Sequence, residues 1–113
     1  MKRTGLTVRA AGALSLLAAV AFGSPALAVE GDAQAAASKK SMCIGCHGIP
    51  GYKASFPEVY NVPFIAGQNV KYLEAALLAY KKGDRKHPTM RGIAETLTEQ
   101  DIADLAAYYA QVK

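Results

Sequence analysis

The sequence predicts an all-α domain. Two stretches carry apolar residues at helical spacing, each beside a recognisable helix-terminus signal. Val70, Leu73, Leu77 and Tyr80 run up to Gly83, and Ile102, Leu105, Ala106 and Tyr109 follow Thr98. No convincing run of alternating β-branched residues competes with them.

The chain begins with a segment that reads as separate from the domain. Lys2, Arg3 and Arg9 give it a positive start, and Ala10 to Phe22 form an uncharged, largely apolar run. Ala26-Leu27-Ala28 then supplies small residues at the spacing of a cleavage site. The apolar run is shorter than the roughly 20 residues that cross a bilayer, and Gly12 and Ser15 dilute it. Residues 1–28 are therefore expected to be a removable export signal, and 29–113 a single domain of the periplasm with no membrane insertion. Loss of the signal takes three cations with it and lowers the formal charge from +4 to +1. No basic, aromatic-interleaved surface for nucleic acid remains.

Within 29–113, Gly31-Asp32-Ala33 opens an alanine-rich stretch through Lys40 that favours helix by intrinsic propensity, with Asp32 at its start. Residues 48–63 contain Pro50, Gly51, Pro57 and Pro63 and are expected to be an irregular loop. The spacing then predicts a helix from Asn69 to Lys82, with Lys81 and Lys82 at its negative end and Gly83 just beyond. "GDRKHPTMRG" breaks the periodicity and reads as a second irregular loop. Thr98, with Asp101 three residues on, resembles a capping box and starts the last helix.

Both cysteines fall in "SMCIGCHGIP". Cys43-Ile44-Gly45-Cys46-His47 has the spacing of covalent haem attachment. Two thiols three positions apart can each form a thioether to one porphyrin vinyl group, and the adjacent imidazole then lies under the iron. Gly45 keeps bulk away where the backbone passes the macrocycle. Three other chemistries share the Cys-x-x-Cys core. A structural zinc site needs four ligands, and Cys43, Cys46, His47 and His87 are the Cys and His residues available, two of them adjacent. A thioredoxin-like dithiol expects a βαβ context. A surface disulfide would close too small a loop to constrain the unfolded chain much.

An iron held by His47 needs a sixth ligand. Met42 abuts Cys43 on the attachment side and is expected to fill core space. Met90, in the second irregular loop, is the candidate able to reach the opposite face, and Met/His ligation raises the reduction potential. His87, three residues earlier, is its competitor or a solvent-exposed imidazole. Tyr52, Tyr60 and Arg85 are candidates to meet haem propionates or ordinary surface side chains. Lys81, Lys82, Arg85, Lys86 and Arg91 form either a docking patch for an acidic partner or a solvated face.

Together, "GDA", "CIGCHG", "PFIAGQNVKYL", "HPTMRGIA" and "LTEQDIADLAAYYA" make residues 30–112 resemble the class I cytochromes c. The likeness is to the small bacterial monohaem type and to one half of the dihaem type. The resemblance implies three to four helices wrapped around one covalently bound haem c. It makes Cys43 and Cys46 the thioether residues, with His47 the proximal and Met90 the distal ligand. It further implies that the Pro63 carbonyl accepts a hydrogen bond from His47, and that Gly31 lets the first and last helices cross closely beside Tyr108 or Tyr109. The expected function is an electron carrier between redox partner proteins, not an enzyme. A redox subunit of a larger dehydrogenase or oxidase complex, and a haem-based ligand binder with a labile sixth position, are the alternatives.

Overall fold

The terminal helix organises the domain. A computed structural model describes residues 28–55 and 58–113; the expected export signal, apart from Ala28, lies outside them. The last helix, α4 (Glu99–Gln111), packs against α2 (Val70–Lys82), which also packs against α3 (Pro88–Glu95). The thiol-bearing helix α1 spans Ser41–His47, and a 3-10 turn at Ala35–Ser38 precedes it and lies on α4. The core is built from Ala36, Leu73, Leu97, Ile102, Leu105, Ala106 and Tyr109, so it is centred on the stripe that the sequence predicts for the last helix. Among the described residues, no helix is long and apolar enough to cross a membrane.

Local signals explain why α2 and α4 start and stop where they do. The Asn69 side chain accepts a hydrogen bond from the Tyr72 N–H at 3.1 Å and caps α2. Gly83 ends the helix at φ 87°, in the left-handed region, and the Asp84 N–H closes onto the Ala79 carbonyl at 2.8 Å. At α4 both arms of the capping box are made: the Asp101 N–H donates to Thr98 Oγ1 at 3.1 Å, and the Thr98 N–H donates to Asp101 Oδ2 at 2.9 Å.

Three expectations are corrected. The alanine-rich stretch through Lys40 does not form a continuous α-helix but a single 3-10 turn, with α-helix only from Ser41. Asp32 accounts for this: its carboxylate accepts the Gln34 N–H at 2.8 Å, and its own N–H is drawn to Asp104 Oδ1 on α4 at 2.8 Å. Residues 48–63 are not wholly irregular, because β1 (Lys53–Ala54) and β2 (Tyr60–Asn61) pair antiparallel. Finally, the "HPTMRG" stretch belongs to a helix, α3, with Pro88 at its first position. Proline there removes an N–H that would have had no intrahelical partner, so it starts a helix as readily as it breaks one.

The crossing near Gly31 is close. A Cβ on Gly31 would lie 2.1 Å from the Ala103 carbonyl oxygen and 3.1 Å from the Ala107 Cβ, so only glycine allows the chain to lie against α4 there. Asp104, fully buried, fixes the same crossing. Besides Asp32, it accepts a hydrogen bond from Gln100 Nε2 at 2.7 Å, and Lys39 Nζ stands 3.5 Å away. Burial alone would raise the pKa of this carboxyl, but these partners outweigh it and hold the group below its ordinary range. Among the described residues, no buried side-chain polar atom lacks a partner.

Candidate haem site

A single cavity gathers the sequence-predicted chemistry. Cys43, Cys46 and His47 from α1, Pro63 from the loop after β2, and Met90 from α3 all line it. Most of the remaining wall is apolar, with Leu73, Leu77 and Ile93 among the residues that shape it. The two cysteines are free thiols at i and i+3, spaced to share one face of α1. Burial pushes the Cys43 thiol up, partly offset by the neighbouring Tyr109 hydroxyl. Tyr109 is itself pushed up to about 12, mainly by burial and then by Cys43 and Tyr108. It therefore stays protonated and donates to the Lys40 carbonyl at 3.4 Å.

His47 is oriented by the backbone. Its Nδ1 lies 2.7 Å from the Pro63 carbonyl oxygen. A carbonyl can only accept, so Nδ1 carries the hydrogen and Nε2 keeps its lone pair for a metal. Met90 occupies the first turn of α3, half-buried on the cavity wall. His87 also lines the cavity and is not the free loop imidazole considered above, since its ring caps α3. Met42 reaches the wall but is 42% exposed, so the core role expected of it is not found. Of the propionate candidates, Tyr60 and Arg85 line the cavity and Tyr52 does not; the Arg85 guanidinium stacks 4.6 Å from the Tyr80 ring centroid.

These residues fit a c-type haem: paired thiols, an imidazole with Nε2 free and an apolar wall are the donor set and surroundings that it needs. They do not fit zinc. Among the described residues, no three His, Cys, Asp or Glu side chains gather where they could hold a metal ion.

The cytochrome c family profile matches residues 28–113. The chain belongs to the cytochrome c family. It is 40% identical over 83 residues to cytochrome c-554(548) of Halomonas halodenitrificans, a match covering 71% of this chain and 95% of that protein. It is 39% identical over 83 residues to cytochrome c4 of Pseudomonas aeruginosa, covering 74% of this chain but 39% of the relative. A third relative is the cytochrome subunit of sulfide dehydrogenase from Chlorobaculum tepidum, 33% identical over 70 residues, or 62% of this chain and 59% of that one. The chain thus spans nearly the whole of the first relative and about two-fifths of the second. One cytochrome c domain with one Cys-x-x-Cys-His motif takes one c-type haem, and the cytochrome c is an electron carrier, not an enzyme.

The short helix α3 is what sequence reasoning missed at the site. Its available signal was Pro88, a favoured first residue of a helix. The basic patch also changes character. Lys81 Nζ donates to the Leu97 carbonyl, Arg85 stacks on Tyr80 and Arg91 Nε pairs with Glu95 at 2.7 Å, so three of its five cations have intramolecular partners.

Proposed function

We propose that this cytochrome c carries single electrons between larger redox proteins of the periplasm after removal of residues 1–28, with His47 and Met90 as axial ligands. The observation that carries the ligand assignment is the shared cavity, in which His47, turned by Pro63, and Met90, on a different helix, both form the wall beside the two thiols. When bound, the haem supplies a one-electron couple that needs no bond made or broken at a substrate.

The chain's own residues do the rest. Cys43 and Cys46 hold the group covalently, so it does not exchange between turnovers. Pro63 fixes the His47 ring and raises its basicity through the Nδ1 hydrogen bond. Met90 brings a soft thioether, which favours the reduced state and a higher potential. Leu73, Leu77 and Ile93 keep water from the cavity. Similarity to a dehydrogenase's cytochrome subunit favours a second reading, in which the same chemistry serves as the redox subunit of a larger complex; co-purification of a large partner would distinguish it.

The test of the ligand set is the ferric spectrum of purified holoprotein and of Met90→Ala. The wild type should show the thioether-to-iron charge-transfer band and resist carbon monoxide when reduced. Met90→Ala should lose the band and bind carbon monoxide. Persistence of the band in that variant, or ready carbon monoxide binding by the wild type, defeats the assignment. A pyridine haemochrome assay that found no covalent haem would defeat the whole reading.

A further inference from the structure

We propose that His87 is a positioning residue for Met90, acting as the side-chain cap of the helix that presents the thioether rather than as a rival ligand. The inference rests on the His47/Met90 assignment above and adds to it how Met90 is held.

The first turn of α3 is made of Pro88, Thr89 and Met90. Pro88 has no N–H, and the residue before a proline is driven to extended backbone, as His87 is at φ −134° and ψ 110°. That geometry sets the His87 ring beside the open end of the helix. Nδ1 accepts the Met90 N–H at 3.4 Å, while the His87 carbonyl accepts the Arg91 N–H at 2.9 Å. One residue therefore binds the backbone on both sides of the Met90 Cα. Tyr60 of β2 packs edge-on against the ring, with centroids 5.2 Å apart and planes at 65°, which opposes the flip that would swap Nδ1 for a carbon. The pairing of β1 with β2 is thereby coupled to the placement of Met90.

The same hydrogen bond bears on ligation. An Nδ1 that accepts requires the ring hydrogen on Nε2, so neither nitrogen offers a free lone pair to iron. Binding iron through Nε2 would need the other tautomer, and binding through Nδ1 would use the accepting lone pair itself; either way the Met90 N–H would lose this partner.

The experiment titrates ferric holoprotein with imidazole, which competes for the sixth position, in wild type, His87→Ala and His87→Asn. Asparagine is a good cap and restores an acceptor without a ring. Loss of a helix cap predicts roughly three- to tenfold tighter imidazole binding in His87→Ala, and a return to within about twofold of wild type in His87→Asn. Amide exchange at Met90 in the reduced holoprotein gives a second readout that does not depend on what binds the iron. Exchange should accelerate in His87→Ala and slow again in His87→Asn. Unchanged imidazole affinity and exchange in His87→Ala would overturn the proposal, as would an asparagine variant indistinguishable from alanine. Failure of the ligand assignment shows separately, as a charge-transfer band that survives Met90→Ala, and the exchange data still judge the cap.

Discussion

Two helices of this small domain are held in opposite ways. α4 buries Ile102, Ala103, Asp104, Leu105, Ala106 and Tyr109, whereas α1, which carries both thiols and His47, buries none of its seven residues. Burying a large aliphatic side chain stabilises by roughly 1.5–3 kcal/mol, so Ile102 and Leu105 alone anchor α4 substantially. α1 has no such anchor. Of its residues only Cys43, partly buried, packs against the core; the other links are the His47 bond to Pro63 and, at the residue before the helix, the Lys40 carbonyl bond to Tyr109. The difference separates two sources of stability. The terminal helix is specified by packing, and the motif helix by the chemistry of its side chains, with the thioethers to haem as its main tie under the proposed function.

The packed end should be the more fragile towards steric change. Gly31→Val places a Cβ 2.1 Å from the Ala103 carbonyl oxygen, backbone that cannot yield as a flexible side chain would. The chain must lift from α4, which also strains the Asp32 bond to Asp104. We expect a loss of about 2–3 kcal/mol in the denaturant-unfolding free energy of the holoprotein, with haem attachment intact. A loss below about 0.5 kcal/mol would mean that the N-terminal arm is not held against α4 in the way described, and that α4 gains little from it.

The two regions also differ in how openly the sequence declares them. Asn69, Gly83 and the Thr98–Asp101 box announce α2 and α4, because caps and stripes are local features with local consequences. Cys43, Cys46 and His47 also stand out in sequence, because their spacing is that of a haem-attachment motif, and the fold brings all three to one cavity. α3 stayed hidden because it is short, because Pro88 reads as a breaker, and because histidine is not among the habitual capping residues. The 3-10 turn was unreadable for a different reason. Alanine propensity argued for helix, and the partner that overrode it, Asp104, stands 72 residues from Asp32 in sequence. Nothing local marks Asp104 as buried. It is an acid in a helix whose burial follows from the close approach of Gly31.

Acid should erode the packed end through its electrostatic clamp. Lys39, with the N–H and hydroxyl of Thr98, holds the Asp101 carboxyl at about 2, below its ordinary 3.8. The folded state therefore favours the ionised form. Its contribution is present above about pH 4, fades as pH falls through the interval between 3.8 and about 2, and is gone below it. The wild-type advantage over Asp101→Asn, read as a shift in unfolding midpoint, should shrink over that window. The Lys39–Asp101 pair is partly open to solvent, so the advantage is modest and should fall further in high salt. An advantage constant from neutral pH to about 2 would leave the capping geometry, without its charge, as the whole effect.

The smallest expected effect probes α1. Ile44 lies between the two cysteines, is 49% exposed and does not line the cavity. In α4 the equivalent loss of an aliphatic side chain would open the core. In α1, Ile44→Gln removes apolar surface that is already half in water and keeps a good helix former, so stability should move by no more than about 0.5 kcal/mol. Thermal unfolding of holoprotein, followed by far-ultraviolet circular dichroism, checks this, with haem content per chain measured alongside. A destabilisation beyond about 1.5 kcal/mol with full haem content would show that α1 is anchored by packing after all. The same loss together with reduced haem content would instead implicate Ile44 in attachment, and would break the division between the two helices at its chemical side.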